Sequence, residues 1–148
     1  MGLNILTMRS RFPVAVHLFF FHKDGVLLLR RFNTGWEDGK YSVPAGHVDA
    51  GEPVTQAAIR EACEEVGVDL KTSDVEVVHV MHRKSEEERI DFFLNVKSWT
   101  GEIANKEPHR CDDLAWYPLS SLPGNVIPYV RQGLANYQNG ILFSEFGW

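Results

Sequence analysis

The sequence predicts an α/β protein in which a mixed β-sheet lies between helices. Three observations lead there. Apolar stretches with strand-like patterning come in pairs joined by turn residues. One long central segment has helical apolar spacing. A second helical segment follows near the end. The 148 residues suit one domain spanning 1–148 around a single core.

Taken in order, residues 12–21 are apolar on both alternating faces. Val14, Val16, Leu18 and Phe20 share one face, and Ala15, Phe19 and Phe21 the other, which fits a central strand covered on both sides. Lys23-Asp24-Gly25 is a hairpin signal, and Val26–Arg31 is the return strand. Residues 33–40, NTGWEDGK, form a polar loop carrying Trp36, and Tyr41–Val43 reads as a short strand. The central helix begins near Glu52-Pro53, where proline suits a first turn because its missing N–H has no partner to lose. Val54, Ala58, Ile59, Ala62, Cys63 and Val66 give its apolar stripe, and Gly67 suits the left-handed position after its end. Val75–Met81 and Ile90–Trp99 are strands joined by the charged tip SEEER. In the second, Asp91, Phe93, Asn95, Lys97 and Trp99 share a face. Residues 100–113 form a long polar loop, and loops of that length in a compact chain tend to be functional. Leu114–Tyr117 is a short strand. Asn125 can cap a final helix reaching about Tyr137, with Pro128 in its first turn. The aromatic tail ILFSEFGW has to pack on its own sheet or on a second copy, which makes a homodimer a reasonable expectation.

Composition narrows the function. A formal charge of −5 gives no basic surface for nucleic acid and would repel a phosphate substrate unless local cations reverse the field. Cys63 and Cys111 form no metal-type pair, which suits a reduced, cytoplasmic protein with Cys63 buried. Arg9 and Arg11 before an apolar run imitate a signal peptide, but His17 interrupts the run and no small-residue cleavage site follows. No stretch is long enough to span a membrane. Leu6 stands where a myristoylation signal needs Ser or Thr.

The chemistry gathers in residues 46–68, GHVDAGEPVTQAAIREACEEVGV. Glu61, Glu64 and Glu65 stand at i, i+3 and i+4, on one face of a helix. Carboxylates so close repel one another unless a cation sits among them, and a divalent cation with oxygen ligands is the natural occupant. Gly46 lets the backbone approach closely, and the carbonyl of neighbouring Ala45 is a further candidate ligand. By itself the EACEE run also fits a solvated acidic face, with Arg60 paired to Glu64.

The segment resembles the signature of the Nudix family. That signature has a glycine, five residues, a glutamate and seven residues, then Arg-Glu, aliphatic, any, Glu-Glu, any, Gly, aliphatic. Here Gly46, Glu52, Arg60-Glu61, Ala62, Glu64-Glu65, Gly67 and Val68 fill it, with Ala62 small for its aliphatic position. LLLRRFNTGWEDGKYSVPAG and WTGEIANKEPHRCDDLAWYPLSSLP are similar to the flanking segments of MutT-type members, so the resemblance runs from about Val14 to Tyr137.

The resemblance implies an α/β/α sandwich with a mixed sheet. It implies a pyrophosphohydrolase cleaving the diphosphate linkage of a nucleoside diphosphate derivative, here an NTP or dNTP giving NMP and pyrophosphate. Mg2+ would be the cofactor, with Mn2+ as a substitute. Glu61, with Glu64 second, would be the catalytic base, and Glu61, Glu64 and Glu65 the metal ligands. Glu52 and Arg60 would be a structural ion pair beside the structural glycines Gly46 and Gly67. Glu107 matches the distal carboxylate ligand, with Glu86, Glu87, Glu88 and Asp91 as competitors. Arg31 matches a phosphate contact and Asn125 a base-reading position. Trp36 either stacks on a base or plugs its own loop, and Phe93 and Tyr129 are further stacking candidates or core. A proline typical of ADP-ribose hydrolases is replaced by Lys84, which leaves nucleoside triphosphates favoured. The alternative from another class is a non-catalytic nucleotide sensor or interaction domain on the same fold.

Overall fold

The computed structural model describes residues 8–148. The Leu6 position lies outside the described residues. The strands are β1 (Val14–His22), β2 (Gly25–Arg31), β3 (Tyr41–Ser42), β4 (Ala45–His47), β5 (Val75–Lys84), β6 (Glu88–Val96), β7 (Cys111–Pro118) and β8 (Phe143–Phe146). The helices are α1 (Val54–Val66) and α2 (Pro128–Gln138). The sheet runs β3-β2-β1-β6-β5-β8, with β4 added to β1 and β7 to β2. β1 pairs with β6, and β5 with β8, in parallel; the other pairs are antiparallel, so the sheet is mixed.

The two-sided apolar pattern of β1 explains the layers. Val16, Leu18 and Phe20 bury against Ala57, Ala58, Ala62 and Val66 of α1. Phe19 packs on the other face with Tyr129, Val130 and Leu134 of α2. The result is an α/β/α sandwich with a core on each side of β1.

Several boundaries and faces differ from the sequence expectation. Pro53 is the N-cap of α1 rather than a residue of its first turn. Cys63 is exposed, whereas Cys111 is buried. The inner face of α1 takes Ala57 and Glu61 instead, since 100° per residue carries position 63 away from the line through 58, 62 and 66. β6 ends at Val96, so Trp99 leaves the face of Phe93 and packs edge-on against Phe20 on the α1 side. β7 starts three residues early, because Asp112 pairs with Arg30 and Asp113 accepts hydrogen bonds from Tyr41 and Tyr117. α2 is capped by Ile127 with Pro128 at its first position, and Asn125 plays no part in the cap. The tail folds back as β8 on its own sheet, with Leu142, Phe143 and Trp148 still exposed. Among the described residues no helix is long and apolar enough to cross a membrane.

Candidate active site

A cavity of about 1210 Å³ opens between the α1–β4 junction, the loop after β2, and the ends of β5 and α2. Its carboxylate end is built locally. β4 is held on β1 by the registers His17 to Ala45 and Val16 to Gly46, which bring the start of the motif against α1. Glu61, Glu64 and Glu65 from α1 line that end, joined by Glu107 from the loop before β7.

Gly46 owes its identity to this junction. A Cβ there would overlap the carboxylate of Glu61. The close approach inferred from sequence is therefore between the backbone and a carboxylate of α1.

Arg60 organises the cluster. Its Nε and Nη2 donate to the two oxygens of Glu52 at 2.8 and 2.9 Å, a bidentate pair. Nη2 also donates to the His47 carbonyl at 2.9 Å, and Nη1 to Glu61 Oε1 at 2.7 Å. Glu64 stands 3.5 Å away and Asp49 likewise. Loop, helix start and helix middle are thus tied to one guanidinium. The Arg60 hydrogen bonds, together with one from the Asp49 backbone, hold the Glu52 carboxyl down at about 2.

The other carboxylates are pushed the opposite way. Burial raises the Glu61 carboxyl above its ordinary value, Arg60 opposes the rise, and the charges of Glu64 and Glu107 add to it. Glu65 rises further, through burial first and then the Glu61 charge, against a hydrogen bond from the Ala45 N–H at 3.0 Å. Such a set favours a bound cation, and hard oxygen donors suit Mg2+ or Mn2+. Among the described residues no three acidic, His or Cys side chains already converge as a ligand set. Glu61 is drawn toward Arg60 and Glu65 toward Ala45, so binding would redirect them. The donor chemistry and the tight Gly46–Glu61 cradle fit the cation.

The opposite wall carries the substrate candidates. A register shift at Arg30/Arg31 sets the two arginines apart. Arg30 turns to Asp112, while Arg31 lines the cavity. Arg31 Nε donates to the Trp36 carbonyl at 2.7 Å and Nη2 to Thr34 Oγ1 at 2.9 Å. Its guanidinium lies 4.9 Å from the Trp36 ring centre. Trp36 is 46% exposed and lines the cavity, so it does not plug its loop. Asp38 folds that loop by accepting from the Thr34 and Gly35 N–H groups.

Asn125 is not among the lining residues. Its Nδ2 donates to the Gly39 carbonyl at 2.8 Å, so it braces the Trp36 loop from behind. Of the competitors to Glu107, Glu86 and Glu87 line the far end of the cavity. Asp91 is committed to His17 and Arg83 in the interior. Phe93 is fully buried, while Tyr129 both packs in the core and lines the cavity. His17 and Arg83 also line it and were not singled out from sequence. A histidine inside an otherwise apolar strand was the available signal.

Residues 11–137 match the family model described as NUDIX domain. The chain belongs to the Nudix family. It is 34% identical over 91 residues to the putative nudix hydrolase 1 of Caenorhabditis elegans, covering 60% of this chain and 23% of that protein. It is 28% identical over 100 residues to a putative 8-oxo-dGTP diphosphatase of Bacillus subtilis, covering 68% of this chain and 64% of that protein. Its overlap is thus less than two thirds of each of these Nudix relatives. The crystal structure of a MutT NUDIX hydrolase from Burkholderia pseudomallei superposes with a TM-score of 0.78 at 26% identity, covering 85% of this chain and 98% of that one. A MutT protein from Methanosarcina mazei shares the fold with a TM-score of 0.75 at 18% identity, covering 90% and 97%.

Proposed function

We propose that this protein is a pyrophosphohydrolase of nucleoside diphosphate derivatives, in the simplest case cleaving an NTP or dNTP to NMP and pyrophosphate with Mg2+, or Mn2+ in its place. The observation that carries the reading is the carboxylate set Glu61, Glu64, Glu65 and Glu107 at one end of a cavity whose other walls hold Arg31, Trp36 and Tyr129. The family and the name of the Bacillus subtilis relative support it.

Glu61, Glu64, Glu65 and Glu107 would hold the cation, with the Ala45 carbonyl as a further candidate. When bound, the cation supplies neutralisation of the diphosphate oxygens and a lower pKa for the attacking water. Glu61 is the first choice for the proton acceptor, because burial raises its proton affinity above that of an ordinary carboxylate, with Glu64 second. Arg31, steered by Thr34 and the Trp36 carbonyl, offers charge to a phosphate. Trp36 offers its exposed ring to a base. Arg60 and Glu52 position Glu61 rather than touching substrate.

The test is a panel with Mg2+ and Mn2+, both products being read. It includes canonical and oxidised NTPs, ADP-ribose, dinucleoside polyphosphates, nucleotide sugars and capped RNA, since a relative from Pseudomonas aeruginosa is named an NAD-capped RNA hydrolase. Hydrolysis of an NTP that is lost in Glu64→Gln and Glu65→Gln supports the reading. Turnover that survives both replacements removes the site assignment, and tight nucleotide binding without hydrolysis replaces the enzyme by a sensor.

A further inference from the structure

We infer that His17 is a specificity residue of this cavity: its Nδ1 accepts a hydrogen bond from an N–H group on the edge of a nucleobase. The inference rests on the nucleotide reading above and adds which part of the nucleotide is recognised.

His17 is only 2% exposed, in the middle of an apolar strand, and it lines the cavity. Its Nε2 lies 3.0 Å from Asp91 Oδ1. Asp91 also accepts from Arg83 Nε at 2.6 Å. An ionised carboxylate can only accept, so Nε2 carries the proton of that bond. In a neutral imidazole whose Nε2 donates to Asp91, Nδ1 is the lone-pair acceptor. That atom has no protein partner among the described residues. Buried polar atoms are rarely left that way without a role.

The ring is also immobilised. It stacks on Phe93 with centroids 4.7 Å apart, and Tyr129 meets it edge-on at 5.4 Å. Tyr129 in turn lies under the Arg83 guanidinium, 3.6 Å from ring centre to Cζ. Leu29, Ile127 and Tyr129 add flat or apolar wall beside it. Planar apolar walls with one fixed acceptor match a planar heterocycle that bears an N–H donor. The register of His17 with Ala45 puts this residue beside the carboxylate end, and both line the same cavity.

The experiment compares nucleotides that differ in one donor: GTP with ITP, GTP with N1-methyl-GTP, and ATP with purine riboside triphosphate. The full chain is used, as wild type, His17→Phe and His17→Asn. Phenylalanine keeps the stack and removes the acceptor; asparagine restores a polar atom near Nδ1. In wild type at least one pair should differ by about tenfold or more in kcat/KM, the worth of one buried hydrogen bond. In H17F the same pair should fall within about threefold, with partial recovery in H17N. A second measurement needs no variant. In protein labelled with 15N-histidine, adding the NMP product should move the His17 Nδ1 resonance. Discrimination unchanged in H17F, or an Nδ1 resonance that stays put while NMP binds, overturns the inference alone. A chain that neither hydrolyses nor binds any nucleotide overturns the nucleotide reading and this inference with it.

Discussion

The Glu61 carboxylate occupies the space that a side chain at Gly46 would need. Backbone and carboxylate can come together only at a residue without a Cβ. Replacing Gly46 by Ala should therefore push Glu61 off its position while leaving the sheet pairing intact. Activity is expected to fall on the order of a hundredfold, as for other small displacements of catalytic groups. Steady-state kinetics beside a thermal melt would check this: full activity in G46A would show that the cradle is not needed.

Glu52 would act at one remove from the proposed cation. Its bidentate grip on Arg60 sets where the guanidinium sits relative to Glu61. In Glu52→Gln that grip weakens, and Arg60 is free to settle on the Glu61 carboxylate. Mn2+ affinity should drop about tenfold, the usual cost of losing such a supporting partner. Titration followed by electron paramagnetic resonance measures it directly.

Burial works against an ionised Glu65. Its carboxyl is raised well above the ordinary carboxylate value by burial and by Glu61. A raised carboxyl favours the protonated form, so its ionisation costs stability as pH rises above the unfolded value toward neutrality. Glu65→Gln should melt higher than wild type at pH 7 without metal, by on the order of 3 °C. Added Mg2+ should stabilise wild type and not the variant. A lower melting temperature for E65Q would contradict the repulsion described.

Asp91 works in the other direction. Burial pushes its carboxyl up, but His17 and Arg83 outweigh this and hold it at about 2, against an ordinary 3.8. Its stabilisation is present above the unfolded value and is lost as pH falls through the window between those two values. The span corresponds to about 2 kcal/mol. Asp91→Asn should cost about 3–5 kcal/mol at pH 7, because Arg83 is left buried without its anion. Denaturant unfolding should show the gap between wild type and D91N narrowing from pH 4 to pH 2.

Legibility from sequence followed distance along the chain. The helix α1, its carboxylate face, the glycine at its end and the Glu52–Arg60 pair all lie within the 16 residues from Glu52 to Gly67, where helical periodicity places side chains directly. The strand β1 was legible because burial on both faces left an unbroken apolar run. Cys63 was misplaced because it is small and apolar, and only the seat taken by Glu61 shows that α1 buries a charge instead. Asn125 was misread as a helix cap because its partner, the Gly39 carbonyl, is 86 residues away. His17 looked like an interruption for the same reason: Asp91 lies 74 residues further on.

The parallel pairing of β1 with β6 joins segments far apart along the chain. The contact of β4 with α1 closes a loop of only 20 residues, from Ala45 to Glu65. The His17–Asp91 contact closes one of 74, an extra entropic cost of about 1 kcal/mol. Folding in which short loops close first forms the β4–α1 contact before the His17–Asp91 contact. Pulsed amide exchange during refolding should protect α1 before β6. The half of the site proposed to break the bond would then exist before the half proposed to select the substrate.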